Sequence, residues 1–297
     1  MFKKYKSLFF LALAGAIPCV AFAAGGEPRY HGKTLSVWVD QIDPETPMSP
    51  DQEPGYVHAI RHIGTNAIPT LIQWIKSDNA PLEDKLEAAR MKALEEGKHP
   101  MMYGPGTFGS AQRAQYAFGI LGSLARPAVP ALQEIAMNSH DQVQYRAAIQ
   151  SLIGIGEAAY PGIEAILEKG RPDVKPFAVE ALEYVDDWNT NALTLIPPTV
   201  KCLLGKNGNA GDMAADVLSR SAPASSFRPM LIAALPTASP DARLRVYRCL
   251  FWTAGERGVT REETKRLLQA AVNDPDSSVR DFATNALADL ASPSGGR

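Results

Sequence analysis

Three stretches of the chain share one arrangement of apolar and polar positions when aligned on a proline: HAIRHIGTNAIPTLIQWI on Pro69, FGILGSLARPAVPALQEI on Pro130 and IQSLIGIGEAAYPGIEAI on Pro161. Apolar residues stand nine positions before the proline (Ile60, Leu121, Leu152) and six before it (Ile63, Leu124, Ile155). They recur two positions after it (Leu71, Leu132, Ile163) and five after it (Trp74, Ile135, Ile166), and alanine stands two before it (Ala67, Ala128, Ala159). Steps of three and four put the apolar residues of each half on one helical face. The pattern predicts a helix that ends at a small residue five positions before the proline (Gly64, Ala125, Gly156), where a left-handed residue satisfies loose carbonyls. A tight turn follows, then a second helix with the proline in its first turn, where a backbone N–H has no intrahelical acceptor to lose. Leu121 and Leu124 are both expected on the buried face of the outgoing helix, and Trp74 in the core.

Spacing extends the pattern along the chain. Pro130 and Pro161 are 31 residues apart, as are Pro198 and Pro229, the latter two followed by Val200 and Leu231 two positions on. The 37-residue interval from Pro161 to Pro198 accommodates a polar insertion, DDWNTN. The 61-residue interval from Pro69 to Pro130 accommodates an inserted helix and loop at about residues 81–110: PLEDKLEAARMKALEEG, with its stripe Leu82, Leu86, Ala89 and Ala93, then KHPMMYGPGTFGS. Thr260 and Glu263 form a capping-box pattern ahead of a helix. A last helix is expected with Val279, Ala283, Ala286, Leu287 and Leu290 on one face, and residues 291–297 as a disordered tail.

The pattern A-x-x-L-x-x-I-G-x-x-A-x-P-x-L, together with DPDSSVRDFATNAL, resembles the HEAT and HEAT-like (phycobilisome-lyase-type) repeats over roughly residues 55 to 290. Tyr30, Gly32, Lys33, Leu35 and Trp38 also match a Y-x-G-K-x-L-x-x-W opening similar to that of exported HEAT-repeat proteins of the Verrucomicrobia type. The resemblance implies an all-α, right-handed α-solenoid of about six stacked antiparallel helix pairs. An N-terminal segment at residues 24–54 precedes it, with one helix on which Trp38 acts as a staple.

The first 23 residues read differently. Lys3, Lys4 and Lys6 precede the apolar run LFFLALAGAIPCV, and Ala21-Phe22-Ala23 matches a small-x-small cleavage site, so residues 1–23 are expected to be a secretory signal peptide. The run is short for the ~20 residues of a spanning helix. Taking the leader's three lysines from the 30 basic side chains leaves 27 against 32 acidic ones. With no polybasic run, this balance disfavours nucleic acid as a partner. Cys202 and Cys249 remain, each within an apolar helical pattern, and could be buried thiols or a disulfide.

Candidate chemistry is sparse. The string HGKT (His31 to Thr34) ends like a phosphate-binding loop, but Glu27 stands where that loop needs its first glycine, and Thr34 or Ser36 reads better as a helix start. His58 and His62 are spaced to place two imidazoles on one helix face, without the glutamate of H-E-x-x-H or an evident third ligand. No motif calls for a metal or another cofactor. Tyr103 and Phe108, in the Gly/Pro-rich loop, and Trp188, in DDWNTN, sit in insertions and are the candidate partner-binding residues, since loops on a rigid scaffold often carry recognition. The expected function is a periplasmic or secreted, non-catalytic scaffold that binds another protein or peptide. A lyase-like or metal-dependent enzyme and an architectural envelope subunit stand as alternatives.

Overall fold

The computed structural model describes residues 26–42, 53–77, 109–185, 187–255 and 261–291. The leader, the inserted helix and its loop with Tyr103 and Phe108, Thr260 of the capping box, and residues 292–297 lie outside the described residues.

The described chain is helical apart from one small hairpin, β1 (Arg29–Tyr30) and β2 (Lys33–Thr34), paired antiparallel with Tyr30 opposite Lys33. His31 and Gly32 form its two-residue turn with φ of 47° and 77°, the double left-handed geometry that suits a tight hairpin. The HGKT string is therefore a hairpin turn and its return strand. The short helix α1 (Leu35–Val39) follows, with Thr34 at its N-cap position. Its cap bond comes from elsewhere: the Glu27 carboxylate accepts from the Ser36 amide and, at 2.8 Å, from the Ser36 hydroxyl. Leu35 and Val39 bury α1 against the core, while Trp38 is half-buried and holds the hairpin, donating its indole N–H to the Tyr30 carbonyl at 3.1 Å.

Six helix pairs and a final helix succeed α1 among the described residues: α2 (Gly55–Ile63) and α3 (Ile68–Lys76), α4 (Ser110–Leu121) and α5 (Val129–Asn138), α6 (Gln142–Ile155) and α7 (Tyr160–Lys169), α8 (Lys175–Glu180) and α9 (Ile196–Leu204), α10 (Gly208–Arg220) and α11 (Ala224–Ala234), α12 (Pro240–Trp252) and α13 (Arg261–Ala271), then α14 (Ser277–Ala291). The even-numbered helices pack one on the next from α2 to α14, and the odd-numbered ones from α3 to α11. Each pair thus buries its apolar faces against its sequence neighbours.

The first three pairs turn on a short 3-10 segment. Gly64, Gly122 and Gly156 end α2, α4 and α6 with φ of 59°, 52° and 78°, a backbone region that L side chains rarely adopt. In the second unit the capping residue is therefore Gly122, three residues ahead of the expected Ala125. The cause is a longer turn. Gly64–Ala67 and Gly156–Ala159 have four residues, whereas Gly122–Ala128 has seven. Three residues complete one 3-10 turn, so the returning helix leaves in the same direction. The apolar columns then realign: Ile60, Phe118 and Leu152 are fully buried one turn before the cap, and Ile63, Leu121 and Ile155 sit buried next to it. Leu124, expected in the core, falls in the added turn and is 49% exposed. Trp74 is half-buried, and its neighbour Ile75 takes the core position. In the fifth pair Pro223 precedes α11, while Pro229 lies inside the helix instead of at its start.

Outgoing helices use a different entry device. Asp141, Asn207 and Ser239 cap α6, α10 and α12 by accepting from amides in the first turn, and Asp276 does the same for Ser278 and Val279 at the start of α14. Helices α4 and α6 approach closely, so that a Cβ on Gly154 would lie 2.9 Å from the Cα of Gly119. Gly154→Ala is expected to destabilise the protein by about 1–3 kcal/mol through overpacking. Gly119→Ala, which meets nothing within 4 Å, should be neutral or gain up to ~1 kcal/mol from helix propensity. Urea midpoints of the two variants check this, and equal midpoints would refute the close approach.

At the C-terminal end Arg243 of α12 holds Asp274 through two bonds of 2.8 and 2.7 Å, and the Asp274 side chain is only 7% exposed. This pairing, reinforced by the Asp276 amide and the nearby Arg280 charge, holds the Asp274 carboxyl below the usual carboxylate range. Its folded pKa is depressed, so the stabilisation is complete above the ordinary carboxylate pKa of about 4 and is lost as pH falls through the folded value. Asp274→Asn should cost about 3 kcal/mol at neutral pH, because it leaves a largely buried arginine without its anion. It should also flatten part of the acid-induced fall in the urea midpoint below about pH 4. An unchanged acid limb in the variant would remove Asp274 from the account.

Candidate functional site

Charged and apolar side chains come together where the third, fourth and fifth helix pairs meet. The end of α7, the link to α8, the end of α9 and the link to α10 enclose a cleft of about 440 Å³. Its floor is apolar, with Leu167, Cys202 and Ala210, and its rim carries Lys175, Lys201 and Lys206 against one carboxylate, Glu168.

Each side chain arrives there because a helix begins or ends. Lys201 lies in the last turn of α9, where a cation suits the helix dipole. Its ammonium donates to the Glu168 carboxylate, and this bond pushes Glu168 down and Lys201 up from their ordinary pKa values. Lys175 begins α8 and donates to the Glu168 backbone carbonyl at 2.9 Å. Asn207 caps α10 with its side-chain oxygen and donates its amide to the Pro172 carbonyl at 2.6 Å, closing one end of the cleft. Lys206 is exposed and makes no ion pair among the described residues. The N-terminus of α10 adds partial positive charge at the same place.

Behind this rim sits an uncommon residue for an interior. Arg245 of α12 is 5% exposed, donates to the Asp241 carbonyl and, at 3.2 Å, to the Gly205 carbonyl, and forms no ion pair among the described residues. Its Nη1 is buried and has no hydrogen-bond partner among the described residues. Gly211 makes the room, since a Cβ there would fall 1.8 Å from that nitrogen.

Cys202 forms part of the floor, with its thiol 3.6 Å from the Leu167 carbonyl and its pKa raised by burial. Cys249 is buried in α12, and neither cysteine is joined in a disulfide. The disulfide left open by the sequence is not formed.

The other candidates are placed as follows. His58 and His62 are exposed on α2 with their rings 6.4 Å apart and 17° from parallel. Tyr30 packs beside both, at 5.7 and 4.5 Å between ring centres, with its hydroxyl 3.3 Å from His58 Nδ1, and His31 stacks on the same phenol at 4.1 Å. The histidines thus fasten the hairpin to the first pair. No group of three or more potential metal ligands occurs among the described residues. Trp188 is half-buried against the core and its indole N–H has no partner among the described residues. The loop around it is anchored: Glu157 accepts from Asn189 at 2.6 Å and Asn191 at 2.8 Å. Tyr103 and Phe108 lie outside the described residues.

The lysine cleft was not found from sequence because its charges are spread from position 168 to position 206 with no basic run. The available signal was their common placement at helix ends facing the links between pairs. No known protein family matches the chain, and no curated protein matches it.

Cys202 and Cys249 are expected to resist alkylation in the folded protein and to react fully without reductant once it is unfolded in guanidinium. A cross-linked peptide containing both residues in a non-reducing digest would contradict the structure.

Proposed function

We propose that the protein is an exported, right-handed α-solenoid of HEAT-like repeats that binds a protein or peptide partner and performs no chemistry of its own. The observation that carries this reading is the cleft between successive pairs: its walls come from different repeats, so it exists only because the pairs stack. Repeat scaffolds bind along such composite surfaces. The chemistry of the cleft favours holding over reacting. Burial keeps the Cys202 thiol protonated, and the bond to Glu168 keeps Lys201 charged, so neither is poised as a nucleophile. The links that join one pair to the next bear exposed polar residues, among them His140, Lys206 and Thr237.

A photo-crosslinking residue placed singly at His140, Lys206 and Thr237, with illumination in a native envelope extract, tests the reading. One polypeptide captured from at least two of the three positions, with thermal melts unchanged, is expected. No discrete polypeptide adduct from any of the three would overturn it.

A further inference from the structure

We infer that the cleft between α7, α8, α9 and α10 is a carboxylate-binding site that receives an acidic peptide segment of the partner. The inference rests on the scaffold reading above and specifies the chemistry of the segment bound.

Charge complementarity is the first ground. The chain as a whole is net negative by two charges, yet this cleft gathers three lysines against a single glutamate. Behind it the buried Arg245 guanidinium makes no ion pair among the described residues and reaches the Gly205 carbonyl on the cleft wall. A buried cation without a counterion is costly in an isolated protein. An anion seated in the cleft would offset that cost, and the α10 N-terminus contributes in the same sense.

Shape supplies the second ground. The apolar floor of Leu167, Cys202 and Ala210 beneath a cationic rim suits a ligand with an aliphatic stem and an anionic head. A glutamate or aspartate side chain carried on a polypeptide has that form. Glu168 already illustrates the mode of binding, because its carboxylate is held by Lys201 on the neighbouring pair. It is therefore an internal competitor for Lys201, whereas Lys206 is left available to the incoming group.

The competition makes the site testable in both directions. The probes are an N-acetylated, C-amidated peptide of alternating Glu and Ala, its Gln/Ala isostere, and inorganic phosphate, titrated calorimetrically into the full folded protein. Binding of the Glu peptide alone is expected, weakened by salt. Lys206→Glu should raise its Kd by at least about tenfold. Glu168→Gln, which frees Lys201, should lower the Kd by about threefold or more, whereas a purely structural role for Glu168 would leave it unchanged or raise it. Equal binding of the Glu and Gln peptides, no binding of either, or binding of phosphate alone would overturn the inference. Crosslinked partner retained at His140 and Thr237 alongside any of those results would leave the scaffold reading standing while removing the acidic segment from it.

Discussion

Among the described residues each returning helix ends with carbonyl oxygens that no residue of its own helix can satisfy. The structure meets this constraint with side-chain donors sent back from one or two pairs further along the chain. Gln144 of α6 donates to the Lys76 carbonyl at the end of α3. Arg171, after α7, donates to the Met137 and Ser139 carbonyls at the end of α5. Asn207 reaches Pro172, and Arg245 reaches Gly205 after α9. Each bond joins a helix end to a later pair, in three of the four cases the second one on, so satisfying the backbone also ties together pairs that are not adjacent in the chain.

The cleft is a by-product of the same constraint. Asn207 and Arg245 are drawn to the links by the need to cap carbonyls, and the lysines collect there because helix C-termini and interpair links favour cations and exposed polar residues. Nothing in this arrangement needs a basic run. It needs helix pairs whose charged ends come together, which is a property of how the pairs pack and not of any one segment.

This explains what could be read from the chain directly. The helix pairs were legible because each is a local device: an amphipathic stripe, a glycine at Gly64 or Gly156 and a proline one turn later. Where the reading erred, at Leu124 and Ala125, it relied on alignment to Pro130 and could not see that the turn between Gly122 and Ala128 had grown. Glycine, through its positive φ, was the truer marker than proline, because proline restrains only its own φ and is tolerated inside α11 as well. Site chemistry was less legible. His58 and His62 had the right spacing for a metal, but their environment is set by Tyr30, 28 positions before His58. Lys175, Lys201 and Lys206 belong to no motif in the sequence, and only the folding of three pairs brings them to one rim.

The seven-residue turn from Gly122 to Ala128 carries one more consequence. A 3-10 segment repeats every three residues, so the join between the paired helices has a natural unit of growth. Adding one unit would preserve the phase at which the chain exits, and it adds outward-facing residues to the corner, so that Ser123, Leu124, Arg126 and Pro127 are all exposed here. A gain of one or two residues would rotate the exit by a third or two thirds of a turn and misdirect the stack beyond it. Length variation at these corners is therefore quantised in threes, and the corner is a place where new surface can be installed without reworking the interior.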